Sequence, residues 1–249
     1  MAGRERPEAV YYYGTCLVDL FYPEAGLCGI RLLEREGLRV IFPQAQTCCA
    51  QPAFNCGYHD EAREVARVQI GLFPESHPIV VPSGSCAAMM KRHYPALFEG
   101  DPDLQRAQAV ADRVVELTDF LVTVLRVRLT DLGDQARVTW HSSCHALRDM
   151  GIDEQPKRLL AQLNNIKLVP LDRERECCGF GGTFAVREPE ISAAMVEDKA
   201  ADIASTGAAT LVSADAGCLL NIGGRLEARG DTVRPMHIAE FLWERTRER

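Results

Sequence analysis

Arg39-Val40-Ile41-Phe42-Pro43 leads to Thr47-Cys48-Cys49, and Lys167-Leu168-Val169-Pro170-Leu171 leads to Glu176-Cys177-Cys178. One pattern is written twice: a short β-favouring run, a proline, then two adjacent cysteines. The pairs stand 129 residues apart, and the other framework cysteines keep step with them. Cys16 precedes its pair by 31 intervening residues and Cys144 by 32; Cys86 follows after 36 and Cys218 after 39. Leu117-Thr118-Asp119-Phe120-Leu121 closes the first half as Ile238-Ala239-Glu240-Phe241-Leu242 closes the second. Self-similarity on this scale is an internal duplication. It divides the chain into halves 1–128 and 129–249, joined by the polar stretch 128–137 around Gly133.

The spacing follows from alternating strands and helices. Val10-Tyr11-Tyr12-Tyr13 is a β-favouring run that stops at Gly14, with Cys16 directly after it. Residues 26–36 carry apolar side chains at helical spacing and end at Gly37, a helix stop. A strand over 39–42, a helix over 61–72 and a strand over 79–81 follow, and Pro82-Ser83-Gly84-Ser85-Cys86 is the loop after the last. In the second half, strands over 138–140, 167–171 and 210–212 lead to Cys144, Cys177-Cys178 and Cys218. This alternation predicts an α/β protein of two tandem, pseudo-twofold-related half-domains with Rossmann-like parallel sheets. Each framework cysteine falls just past the C-terminal end of a strand, the edge where open α/β sheets bind ligands.

The 249 residues are 47% apolar and 25% charged, a globular composition that excludes a disordered or collagen-like chain. A net charge of −7 offers no electrostatic reason to bind nucleic acid or an anionic membrane. No apolar run reaches the ~20 residues of a membrane span. The charged start Met-Ala-Gly-Arg-Glu-Arg lacks the apolar segment of a secretory signal, so the expected compartment is the cytoplasm. There, ten cysteines point to metal ligands or redox groups rather than structural disulfides.

Eight thiols, four per half, favour iron–sulfur chemistry. Thiolates select zinc or iron–sulfur clusters, and a [4Fe–4S] cluster takes four cysteines. Zinc knuckles of the C-x2–4-C type are absent, as is ferredoxin spacing, and adjacent cysteines diverge in a way that suits separate irons. The expected ligands are Cys16, Cys48, Cys49 and Cys86, then Cys144, Cys177, Cys178 and Cys218, holding one or two clusters per chain. Gly179, Gly181, Gly182 and Gly217 would let backbone N–H groups approach cluster sulfides. Cys28 and Cys56 lack counterparts in the other half and read as packing residues. Thiol–disulfide exchange at the adjacent pairs is the competing redox reading, against which stands the absence of C-x-x-C.

The stretches Thr15-Cys16-Leu17-Val18-Asp19-Leu20-Phe21-Tyr22-Pro23, Gln46-Thr47-Cys48-Cys49-Ala50-Gln51-Pro52 and Pro82-Ser83-Gly84-Ser85-Cys86, with Ser143-Cys144-His145, Glu176-Cys177-Cys178-Gly179-Phe180-Gly181-Gly182 and Ala216-Gly217-Cys218, carry a family resemblance. Over nearly its whole length the chain resembles the cysteine-rich (CCG) domain proteins. These include the cysteine-rich subunit of heterodisulfide reductase, the glycolate oxidase iron–sulfur subunit and two-repeat members of lactate utilisation. The resemblance implies an iron–sulfur oxidoreductase subunit of L-lactate oxidation to pyruvate. Its implied partners are a ferredoxin-type iron–sulfur protein and a third subunit. The fuller family motif ends in C-x-x-C, but Ser83 and Asp215 stand at the first of those cysteines, and Ala50 replaces the usual glycine. Four thiolates per cluster, or four with an oxygen from Asp215, are therefore expected.

The halves differ beside the first cysteine. Cys144 is followed by His145 and, three residues on, Arg148, where the first half has Leu17 and Leu20. A histidine that moves protons and an arginine that grips a carboxylate are what L-lactate requires, so His145 and Arg148 are the candidate catalytic pair. His141 is a weaker candidate. Gly179-Phe180-Gly181-Gly182 is not a G-x-G-x-x-G fingerprint, and no nucleotide loop or hydrolase elbow is present. The rival reading of the whole chain is a non-catalytic scaffold whose metal only stabilises the fold.

Overall fold

The computed structural model describes residues 6–248. Its first sheet contains β1 (Ala9–Tyr12), β2 (Arg39–Ile41), β3 (Ile79–Val81) and β4 (Val114–Glu116), in the order β2-β1-β3-β4. Its second contains β5 (Ala136–His141), β6 (Ile166–Val169), β7 (Thr210–Ser213) and β8 (Arg234–His237), in the order β6-β5-β7-β8. All pairings are parallel. The fold is thus α/β with two equivalent half-sheets, as the duplication requires. Chain order reverses between β1 and β3 and again between β5 and β7, which opens a crevice at the strand C-termini of each half.

The central strands are buried on both faces, Ala9–Tyr12 and Ile79–Val81 throughout, as parallel strands covered by helices should be. β4 and β8 were not legible from the pattern. Val114–Glu116 directly continues a helix, and Arg234–His237 contains Pro235, which the ladder accepts because β8 is an edge strand.

Helices exchange partners across the pseudo-twofold axis. The helix Pro23–Arg35 buries Ala25, Cys28, Gly29, Leu32 and Leu33 on one face and packs on Ile238–Thr246 of the other half. Reciprocally, Glu154–Leu160 packs on the helical stretch Leu117–Leu125. One core therefore spans both halves, with Tyr12, Leu32, Val80 and Phe120 beside Trp140, Val212, Phe241 and Leu242. Such side chains contribute about 1.5–3 kcal/mol each when buried, so neither half is complete without the other. Separate cores fill the far face of each sheet.

The short helices behind the cysteines also cross over. Gly84–Ala88 meets Cys144–Arg148, and Cys16–Phe21 meets Ala216–Arg229. At Gly84 a Cβ would lie 2.4 Å from the Ala146 Cβ, so only glycine permits this approach. His237 Nε2 lies 2.9 Å from the Pro82 carbonyl oxygen across the same boundary. Arg245 donates to both carboxylate oxygens of Asp131 at 2.9 and 2.7 Å, fastening the last helix to the segment between the sheets.

Candidate metal centre

In the first half, Thr15 adopts φ 57° and its hydroxyl accepts from the Val18 N–H, so Cys16 begins a helix immediately beyond β1. Ala50 adopts φ 72°, a left-handed turn that directs the Ala50 and Cys49 N–H groups at the Cys48 sulfur. Cys86 lies in the helix that follows β3. The four thiols form a chain: Cys16 contacts Cys48, Cys48 contacts Cys49, and Cys49 Sγ is 3.3 Å from Cys86 Sγ. Donation from Cys16 and then Cys49 holds the Cys48 thiol far below its ordinary pKa, while donating to Cys48 raises Cys16 and Cys49. Cys49 and Cys86 are buried, and Cys16 and Cys48 half-buried.

The second half repeats the arrangement. Cys144 Sγ is 3.8 Å from Cys177 Sγ, Cys177 contacts Cys178, and Cys178 contacts Cys218. Hydrogen bonds from Cys144 and Cys178 lower the Cys177 thiol, and donation to Cys177 raises Cys144. Gly179 takes the place of Ala50 with φ 83°, and its N–H donates to Cys177 Sγ at 3.4 Å. A Cβ there would lie 2.9 Å from the Ser192 carbonyl oxygen, so this turn admits no side chain whereas its counterpart admits a methyl. All ten cysteines are free thiols.

The second half also walls in the first quartet. A cavity of about 280 Å³ is lined by Cys16, Cys48, Cys49 and Cys86 together with Phe180, Thr183 and Val186. Sequence spacing carried no sign of this, because the loop after Cys178 reaches it only through the exchange of helices. Cys56, read as a packing residue, lies half-exposed with its Sγ 2.8 Å from Thr183 Oγ1 on that loop. Cys28 is buried in the inter-half core.

Asp215 is held by hydrogen bonds that cross between the halves. Its Oδ2 accepts from Ser83 Oγ at 3.3 Å, Ser85 N at 2.9 Å and Ser143 Oγ at 3.2 Å, and its Oδ1 from Gly217 N at 3.2 Å. The carboxylate is buried, and its bonds to Ser83 and Ser85 join the halves. Ser83 and Asp215, the two positions at which the chain departs from C-x-x-C, thus bond to each other. His145 Nδ1 lies 2.6 Å from Asp149 Oδ2, and exposed Arg148 reaches the Arg175 carbonyl oxygen at 3.5 Å.

His141, at the end of β5, is wholly buried, and neither ring nitrogen has a hydrogen-bond partner. One of its nitrogens and the sulfurs of Cys178 and Cys218 lie within 4.8 Å of one another. Burial, and then the Lys199 charge, lower its pKa to about 3, so the ring is a neutral imidazole. Converging soft donors, backbone N–H groups aimed at sulfur and an unsatisfied buried imidazole all fit a thiolate-bound metal centre.

The CCG cysteine-rich domain family matches residues 10–91 and 138–223. The chain belongs to this family. It is 47% identical over 234 residues to lactate utilization protein A of Geobacillus sp. (strain WCH70) and 48% identical over 234 residues to that of Geobacillus kaustophilus (strain HTA426). Both alignments cover 94% of this chain and 98% of the relative. Lactate utilization protein A of Bacillus velezensis is 45% identical with the same coverage. A hypothetical protein from Helicobacter pylori superposes on the whole chain with a TM-score of 0.70, using 51% of its own length at 11% identity, and so shares the fold. Among the described residues of this CCG protein, no helix is long and apolar enough to cross a membrane.

Proposed function

We propose that the chain is an iron–sulfur oxidoreductase subunit serving the oxidation of L-lactate to pyruvate. Each half holds a thiolate-ligated cluster of the [4Fe–4S] kind, and electrons pass to a ferredoxin-type iron–sulfur protein and a third subunit. The observation that carries this reading is the pair of thiol quartets at the strand C-termini, in a chain whose relatives are lactate utilization proteins. A bound cluster supplies one-electron transfer. The chain's own groups do the rest. Cys48 and Cys177 are held ready as thiolates, the left-handed turns direct N–H groups at sulfur, and Tyr13 and Tyr94 are buried beside the first site's thiols.

Lactate must lose two electrons and two protons. With Nδ1 of His145 engaged by Asp149, Nε2 is the nitrogen left to take the hydroxyl proton, and Arg148 on the same short helix can grip the carboxylate. The chain shows no flavin or nicotinamide fingerprint that could accept a hydride. Isolated protein should therefore not sustain turnover. The test is anaerobic purification with iron and sulfide counting, followed by steady-state lactate oxidation with and without the partner subunits. Brown protein, bleached by dithionite and active only with partners, is expected. Zinc in place of iron would favour the scaffold reading, and sustained turnover by the chain alone would remove the partner requirement.

A further inference from the structure

We propose that His141 is an iron ligand of the second-half centre, so that the two centres of this duplicated chain have different donor sets: four thiolates in the first half, and thiolates with one imidazole in the second. The inference rests on the cluster reading above. Burying an imidazole with both nitrogens unpaired costs the desolvation of two polar groups with nothing to offset it. A native structure rarely carries that cost without a partner for the group. His141 is 0% exposed, and both its nitrogens are in that condition.

The ring is not stranded at random. One nitrogen stands within 4.8 Å of the Cys178 and Cys218 sulfurs, the two buried thiols of that quartet.

The first half provides the internal comparison. Its equivalent position, one residue past β1, is Tyr13, equally buried among Cys48, Cys49 and Cys86. The Tyr13 hydroxyl, however, donates to the Thr47 carbonyl oxygen at 2.6 Å and needs nothing further. The same place in the duplicated fold is thus satisfied by protein in one half and left unsatisfied in the other. A neutral imidazole brings iron no negative charge, whereas a thiolate does, so His141→Cys should lower the midpoint potential of that centre.

The experiment uses the full chain, reconstituted anaerobically with iron and sulfide after growth on 15N-histidine, and poised by reductive titration in its paramagnetic state. Pulsed electron paramagnetic resonance should show a histidine nitrogen coupling of the size of a direct iron–nitrogen bond. That coupling should persist in His145→Asn and vanish in His141→Phe, which should also lose up to half of the iron. His141→Cys should regain the iron with a lowered midpoint potential for one centre. Clusters present without a histidine coupling, or with only the weak coupling of an N–H···S contact, would overturn the assignment and leave the cluster reading standing. A chain that binds no iron would overturn both. The labelled wild-type measurement decides the matter even where His141→Phe fails to fold.

Discussion

Asp215→Ala should destabilise the metal-free protein by about 3 kcal/mol. The carboxylate accepts four hydrogen bonds at 2.9–3.3 Å from Ser83, Ser85, Ser143 and Gly217. The two serine hydroxyls can turn to other acceptors, and Ser83 Oγ already has Ser85 Oγ at 3.2 Å. The Ser85 and Gly217 N–H groups are fixed by the backbone and cannot turn. Leaving each without an acceptor costs about 1.5 kcal/mol, the lower part of the range for buried groups losing a charged partner. In a chain of this size that corresponds to a fall in Tm of roughly 6–12 °C. The assay is urea denaturation and thermal melting of the metal-free wild type, Asp215→Ala and Asp215→Asn. A metal ligand would show its loss only in the loaded protein, whereas a tie between halves shows it without metal. Unchanged stability of metal-free Asp215→Ala would refute the reasoning.

Serine at Cys48, Cys49, Cys177 or Cys178 should lower iron content, whereas Cys28→Ser and Cys56→Ser should retain it; equal losses in both groups, measured by iron analysis, would break the partition. Glu116 is wholly buried, and desolvation raises its pKa from 4.5 to about 7 despite hydrogen bonds from Thr118 and Asp119. The folded protein favours the neutral acid and the unfolded chain ionises at lower pH, so stability should fall by roughly 3 kcal/mol as pH rises from 4.5 to about 7. Glu116→Gln, neutral throughout, should flatten that slope in urea titrations, and parallel profiles would contradict it. Gly179→Ala should cost about 1–3 kcal/mol through its positive φ and the Ser192 carbonyl, while Ala50→Gly should change stability by less than about 1 kcal/mol; denaturation midpoints of both variants test the contrast.

The repeated strand, proline and cysteine-pair pattern was sufficient for the α/β class, the duplication and the gathering of each quartet. Those follow from local periodicity and from the rule that parallel strands present their C-terminal loops on one edge. Helix 26–36 and the strands before Cys16, Cys48 and Cys86 were legible for the same reason, shifted by a few residues where proline or a cap set the boundary. β4 and β8 were not, because three or four residues beside a helix carry too little pattern to register.

What the chain does with its departures from the family motif was decided only in three dimensions. Ser83 and Asp215 lie 132 residues apart in sequence, yet the exchange of helices between halves brings them within 3.3 Å and ties one half to the other. The same exchange carries Phe180 and Thr183 into the wall of the first quartet. His141 and Tyr13 occupy equivalent places in the sequence, and only packing shows that the tyrosine is hydrogen-bonded and the histidine is not. Periodicity reports which face of an element is buried. Which polar atom finds a partner depends on surfaces that meet after both halves have folded, and no local pattern encodes that meeting.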